Sequence, residues 1–130
     1  MRFDPADLPA EATAFLTERH LATLTTRRPD GTAHVVPVGF TWDAATGLAR
    51  VITSGASRKA AHAEGDRVAL CQVDGGRWLT LEGKATVSAD PDRVGEAVRR
   101  YAGRYRQPRV NPERVVIEVA VDRIMGHLPA

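Results

Sequence analysis

AHVVPVGFTWDAATGLARVITSGASRKA, residues 33–60, holds two β-type runs, a turn between them, and a small-residue turn into a basic helix. Ala33 to Asp43 is rich in Val, Phe, Trp and Thr, the residues that suit a pleated, half-buried surface. Ala44 to Gly47 turns the chain, and Leu48 to Ser54 reads as the next strand. Gly55-Ala56-Ser57 then leads into a short helix that starts near Arg58. Pro37 cannot donate to a ladder, so its strand lies at an edge or is bulged there.

Working outward gives the rest of the architecture. Upstream, Leu8 to Arg19 fits a helix with Leu8, Ala12, Phe15 and Leu16 on one face. Leu21 to Arg28 reads as a strand, and Pro29-Asp30-Gly31 as a turn in which Pro presets φ and Gly takes the positive φ. Three strands joined by short turns make an antiparallel meander. Downstream, Arg67 to Val73 and Arg77 to Ser88 flank the hairpin turn Asp74-Gly75-Gly76. Gly83 within the second of these marks a bend or bulge. Asp90-Pro91 opens a third helix, Asp as N-cap and Pro at the first helical position. Its expected buried face is Val94, Ala97, Val98, Tyr101 and Tyr105. Gln107 to Pro112 is a Pro/Asn loop, and Arg114 to Ile124 is the last strand. The expected fold is α+β, mainly β: a six-stranded antiparallel barrel, closed or split, with about three short helices in a single domain over residues 1–130.

The composition suits such a core. Of 130 residues, 43% are hydrophobic and 26% charged, with both signs spread along the chain. The formal net charge of +2 comes mostly from arginine, since Lys59 and Lys84 are the only lysines. Arginine suits planar contacts to phosphate and carboxylate. A dense basic block is absent and there are seven aromatics, so a nucleic-acid partner is not expected. Cys71, the single cysteine, excludes an internal disulfide. The first residues lack an apolar signal core, and no run approaches the roughly 20 apolar residues of a membrane span, so the expectation is a cytoplasmic protein.

The chemistry concentrates at Thr53 to Lys59. A strand ends, Ser57 can cap the following helix, and free N–H groups face outward beside Arg58 and Lys59. This is an anion cradle suited to phosphate, to which Thr53 and Ser54 can add hydroxyl hydrogen bonds. The plainer reading is a capped surface helix with solvated basic residues. Val35 to Phe40 offers an edge backbone that can meet the rim of a heterocycle, or is simply an edge strand. Trp78 can supply a flat face for a ring, or serve as core or interface; Trp42 follows the same logic. Cys71 has no activating neighbour. His20, His34, His62 and His127 show no metal-ligand spacing, and no metal site is expected. Glu64 with Asp66, and Asp90 with Asp92, sit at turns or caps. The side chains thus offer binding groups and no self-sufficient catalytic set, as expected where the reactive atoms belong to a cofactor.

Five stretches carry a family resemblance: FLTERHLATLTT (15–26), HVVPVGFTWD (34–43), ARVITSGASRKA (49–60), LCQVDGGRWLTLEGKA (70–85) and RYAGRYRQPRVNPERVVIEV (100–119). In order and over almost the whole chain, they resemble the F420-dependent members of the pyridoxamine-phosphate-oxidase-like, split-barrel flavoprotein superfamily. The resemblance implies a homodimer with two coenzyme sites at the interface. It places the phosphate on Ser54 to Ala60, through Ser57, Arg58, Lys59 and Ala60. It places the deazaflavin ring along Val36, Pro37, Val38 and Gly39, and completes the pocket with Gln72, Trp78, Leu79 and Thr80, from the same or the other subunit. The implied reaction is hydride transfer from reduced F420 to an organic acceptor, with biliverdin to bilirubin as the leading case. Proline at position 37 is common across the superfamily and the cradle serves both cofactors. A flavin mononucleotide (FMN) oxidoreductase therefore stands as an alternative, as does a non-catalytic carrier of F420 or a tetrapyrrole.

Overall fold

The Pro29-Asp30-Gly31 turn forms as its residues require. Gly31 has φ of 87°, and its N–H donates to the Arg28 carbonyl at 2.9 Å. In the computed structural model, which describes residues 1–129, this turn joins β2 (Ala22–Arg27) to β3 (Ala33–Val38). Before them come β1 (Arg2–Phe3) and α1 (Ala10–Thr17). After them come β4 (Thr41–Asp43), β5 (Leu48–Ser54), α2 (Arg58–Ala63), β6 (Arg67–Asp74), β7 (Arg77–Ser88), α3 (Pro91–Arg104) and β8 (Arg114–His127).

The expected single strand from Ala33 to Asp43 is in fact two, β3 and β4, interrupted at Gly39-Phe40. With the two-residue β1 this gives eight strands rather than six. The sheet is antiparallel with order β3-β2-β6-β7-β8-β5-β4, and β1 adds to β8. Its two terminal strands, β3 and β4, are consecutive in the chain and separated by two residues. The sheet must therefore curl until its ends nearly meet. No ladder joins them, so the barrel is split along a seam at Gly39-Phe40. Pro37 lies on the edge strand β3, where a missing donor costs no ladder bond. The expected irregularity at Gly83 is a register shift between β7 and β8 at Glu82/Gly83.

Alternation fills the barrel. Leu24 of β2, Leu70 of β6, Leu79 and Leu81 of β7 and Ile124 of β8 point inward and are fully buried. Ala12, Phe15 and Leu16 of α1 close one end of this core. Ser57 caps α2, accepting the Ala60 N–H at 3.2 Å, and Asp90 caps α3, accepting the Arg93 N–H at 3.0 Å. Of the expected face of α3, only Ala97 is fully buried; Tyr101 and Tyr105 are half-buried, because they line an open cleft at the seam. A buried polar layer ties α3 to the sheet: Asp43 meets Arg50 at 3.0 Å and Arg100 at 3.2 Å, and Glu118 meets Arg93 at 2.8 Å. No helix among the described residues is long and apolar enough to cross a membrane.

Candidate functional site

The seam leaves backbone groups that a closed barrel would pair, and α3 supplies their partners. The Phe40 N–H donates to the Tyr105 hydroxyl at 3.2 Å, and the Phe40 carbonyl accepts from Arg104 at 2.6 Å. Tyr105 donates in turn to the His20 carbonyl at 2.6 Å. Gly39 lies against the tyrosines: a Cβ there would come within 3.0 Å of the Tyr101 ring and 3.1 Å of the Tyr105 ring. Burial pushes the Tyr105 phenol pKa up and the Arg104 guanidinium pKa down from their ordinary values.

Beside this latch opens a cleft of about 820 Å³. One wall is the end of β3 (Pro37, Val38, Gly39), and another the end of β5 (Ile52, Thr53, Ser54). Lys59 of α2 and Tyr101 of α3 face it, and the loop from Arg106 to Asn111, with Arg114, forms its rim. Lys59, Arg106, Arg109 and Arg114 line this space, and no Asp or Glu does. Ser54 and Arg114 are register partners on β5 and β8, which brings a hydroxyl and a guanidinium to one place. Arg114 is steadied by the Arg109 carbonyl at 2.6 Å.

The cradle is more specific than the sequence suggests. Arg58 is exposed and does not line the cleft, whereas Lys59 does. Ser57 is committed to capping: its hydroxyl accepts both the Ala60 N–H and the Thr53 hydroxyl, the latter at 3.1 Å. The backbone N–H groups of Arg58 and Lys59 open the helix without an intramolecular partner. Only six residues long, α2 contributes little dipole, and the groups at its start that could meet an anion are Lys59, the Ser54 hydroxyl and these N–H groups. The local potential is positive. Desolvation first, and then Arg28, His62, Arg58 and Lys59, push the His34 pKa down.

Other expected residues lie elsewhere. Val36 packs against the core and Ala60 is buried beneath the cradle. Gln72 is 0% exposed, its amide N–H donating to the Phe15 carbonyl at 2.8 Å and its carbonyl accepting from Arg104 at 2.6 Å. Leu79 is likewise core. Neither side chain lines the cleft, because alternation along β6 and β7 turns both inward. Trp78 and Thr80 lie on the opposite, outer face of the sheet, half-exposed. Tyr101, Arg106, Arg109 and Arg114 were not expected from sequence as site residues; the signal available was an acid-free run of arginines, Arg104, Arg106 and Arg109, around a Pro/Asn loop.

The donor set fits a phosphorylated flavin-type coenzyme: a cation, a hydroxyl and free N–H groups at one place, and an open edge backbone beside Val38 and Ile52 for a ring. Known proteins agree with this architecture. The family model for pyridoxamine 5'-phosphate oxidase matches residues 8–127. A biliverdin reductase of Mycobacterium tuberculosis that depends on reduced F420 is 58% identical over 120 residues, 92% of this chain and 88% of that protein. Among solved structures, an F420 reductase superposes with a TM-score of 0.73 at 25% identity, over 91% of this chain and 98% of the other. A conserved hypothetical protein from Mycobacterium tuberculosis gives a TM-score of 0.78 at 23% identity over 92% and 84%, a likeness of fold. With a split antiparallel barrel, an acid-free cleft at its seam and a match over nearly its whole length, the chain belongs to the pyridoxamine 5'-phosphate oxidase family.

Proposed function

We propose that this protein is an F420-dependent oxidoreductase that reduces biliverdin to bilirubin, with the coenzyme in the seam cleft. The observation that carries the reading is the cleft's charge. Four cations and no carboxylate line a cavity large enough for a tricyclic ring and its phosphate. The 58% identity to a biliverdin reductase dependent on reduced F420 supports the coenzyme and the acceptor.

Each residue has a defined task in this reading. Lys59, the Ser54 hydroxyl and the N–H groups of Arg58 and Lys59 bind the phosphate. Thr53 and Ser57 hold each other and so fix the turn that presents them. The backbone of Pro37 to Gly39 flanks the ring, and Val38 and Ile52 give it an apolar seat. When bound, the reduced deazaflavin supplies a hydride from its central ring to the acceptor's methine bridge. The chain's contribution is position and exclusion of water. No carboxyl lines the cleft, so no Asp or Glu there can deliver the accompanying proton.

A second copy of the chain completes the site. The outer face of the sheet exposes Val35 (55%) and Val73 (59%), with Met125, Trp78 and Thr80 on the same face. Such a face suits a self-complementary interface that brings Trp78 and Thr80 to the partner's cleft. Gln72 and Leu79 support that strand pair from inside the barrel.

Fluorescence titration with F420 and with FMN, followed by a biliverdin assay with reduced F420, tests the reading. F420 should bind the more tightly, and biliverdin should be consumed. Preferential FMN binding would favour the flavin alternative, and tight F420 binding without turnover of any acceptor would favour a carrier. Lys59→Ala should weaken F420 binding at least tenfold, about 1.4 kcal/mol. Unchanged affinity would remove the cradle from the site.

A further inference from the structure

We propose that a smaller chamber opening beside the cleft is the acceptor's anion-binding site, in which Arg19 and Arg106 hold the two carboxylate arms of a flat conjugated acid lying against Tyr101. The inference rests on the reading of the larger cleft as the coenzyme site. The chamber measures about 360 Å³ and is lined by Arg19, His20, Leu21, Tyr101, Tyr105 and Arg106. It shares Tyr101 and Arg106 with the cleft. Molecules occupying the two spaces would therefore meet at one tyrosine ring, at the place where Gly39 packs on that ring.

The lining specifies the kind of molecule. Tyr101 and Tyr105 stack with ring centroids 4.9 Å apart, and Leu21, 61% exposed, extends the apolar surface. Both bonding directions of the Tyr105 hydroxyl are used, toward the His20 carbonyl and the Phe40 N–H, so it forms wall and not a ligand group. His20 is held by Glu18 at 3.0 Å, and Glu18 is held in turn by Arg77 at 2.8 Å. The Glu18 carboxylate is thus already paired, and Asp74, 3.6 Å from His20, is paired with Arg77 as well. Arg19 and Arg106 differ from arginines such as Arg27, Arg67 and Arg77, which each grip a carboxylate. Both are exposed, and neither has a side-chain partner among the described residues. Two free guanidinium groups beside an aromatic wall match a flat, largely apolar ligand bearing two carboxylates. A tetrapyrrole with two propionate arms has this form.

The same two cations could instead meet an acidic tail on the coenzyme, and the test separates these sources. Binding of biliverdin, followed by absorbance titration without turnover, is compared among the wild type, Arg19→Gln and Arg106→Gln. Each variant should bind biliverdin at least fivefold more weakly, and KM for biliverdin should rise in step. Arg19 lines only the chamber, so Arg19→Gln should keep the wild-type affinity for F420 within twofold. Biliverdin dimethyl ester, which lacks the charged arms, should bind the wild type weakly and lose nothing further in Arg19→Gln. Wild-type biliverdin affinity in Arg19→Gln, failure of the wild type to bind biliverdin, or a tenfold loss of F420 affinity in Arg19→Gln would each overturn the assignment. Failure of the coenzyme reading appears separately, as a wild type that binds no F420.

Discussion

Gly83→Ala should lower stability by about 3 kcal/mol, and the melting temperature by roughly 10 °C. A Cβ built at Gly83 falls 2.0 Å from the Ala120 carbonyl oxygen and 2.6 Å from its carbon, with the Val121 Cα at 3.0 Å. All three are backbone atoms in the neighbouring strand, so no side chain can rotate out of the way. They sit at the register shift where β7 crosses β8, the most extensive strand pairing in the sheet. Relief requires the two strands to part, which disrupts ladder bonds on both sides of the bulge. Gly103→Ala is the control. It lies within α3 with nothing near its would-be Cβ, and alanine there should be neutral or stabilising by up to about 1 kcal/mol. Thermal unfolding of both variants decides the matter. Equal melting temperatures for Gly83→Ala and wild type would mean that the β7–β8 approach is looser than the structure has it.

The sequence was legible where local punctuation and burial agreed. Leu48 to Ser54 and Arg77 to Ser88 form strands with those bounds, because Gly47, Gly55 and the Asp74-Gly75-Gly76 turn fix their ends. The seam was not legible. Nothing local in GFTW distinguishes a strand that continues from one that breaks, since the partners of Phe40 come from Arg104 and Tyr105, 64 and 65 residues away. The cradle could be read as chemistry but not as geometry. Arg58 and Lys59 are equivalent in sequence, and only the helix's placement turns one to solvent and the other into the cleft. Gln72 and Leu79 are expected from sequence to complete the pocket, and their side chains do not line the cleft. Gln72 shares parity with Val68 and Leu70, and Leu79 with Leu81, which puts both on the barrel's inner face. The rim arginines were hidden for another reason: the loop that carries them has no periodicity, so its aim depends on where α3 ends.

Arg104→Met should cost about 3 kcal/mol, measured by denaturant unfolding, and most of that cost should arise from groups left unpaired. The guanidinium donates to the Glu18 carbonyl at 2.8 Å, the Phe40 carbonyl at 2.6 Å and the Gln72 side-chain carbonyl at 2.6 Å. It also lies over the Phe40 and Tyr105 rings, 4.9 and 5.1 Å from their centroids. One cation therefore joins α1, β6, α3 and the seam. Methionine preserves much of the packing but no donor, and the Gln72 carbonyl, with no access to water, loses its partner. If orphaned polar groups dominate, removing the second partner should relieve part of the loss. Arg104→Met combined with Gln72→Leu should be more stable than the sum of the single changes by about 1 kcal/mol or more. Simple additivity would show instead that Arg104 acts through its ring contacts and its bond to Phe40. The single variant should also weaken F420 binding, because freeing the Phe40 carbonyl loosens Gly39, whose backbone flanks the proposed ring site. A variant that loses stability yet keeps wild-type coenzyme affinity would separate the latch from the cleft, and would mean that the seam holds its shape through Tyr105 alone.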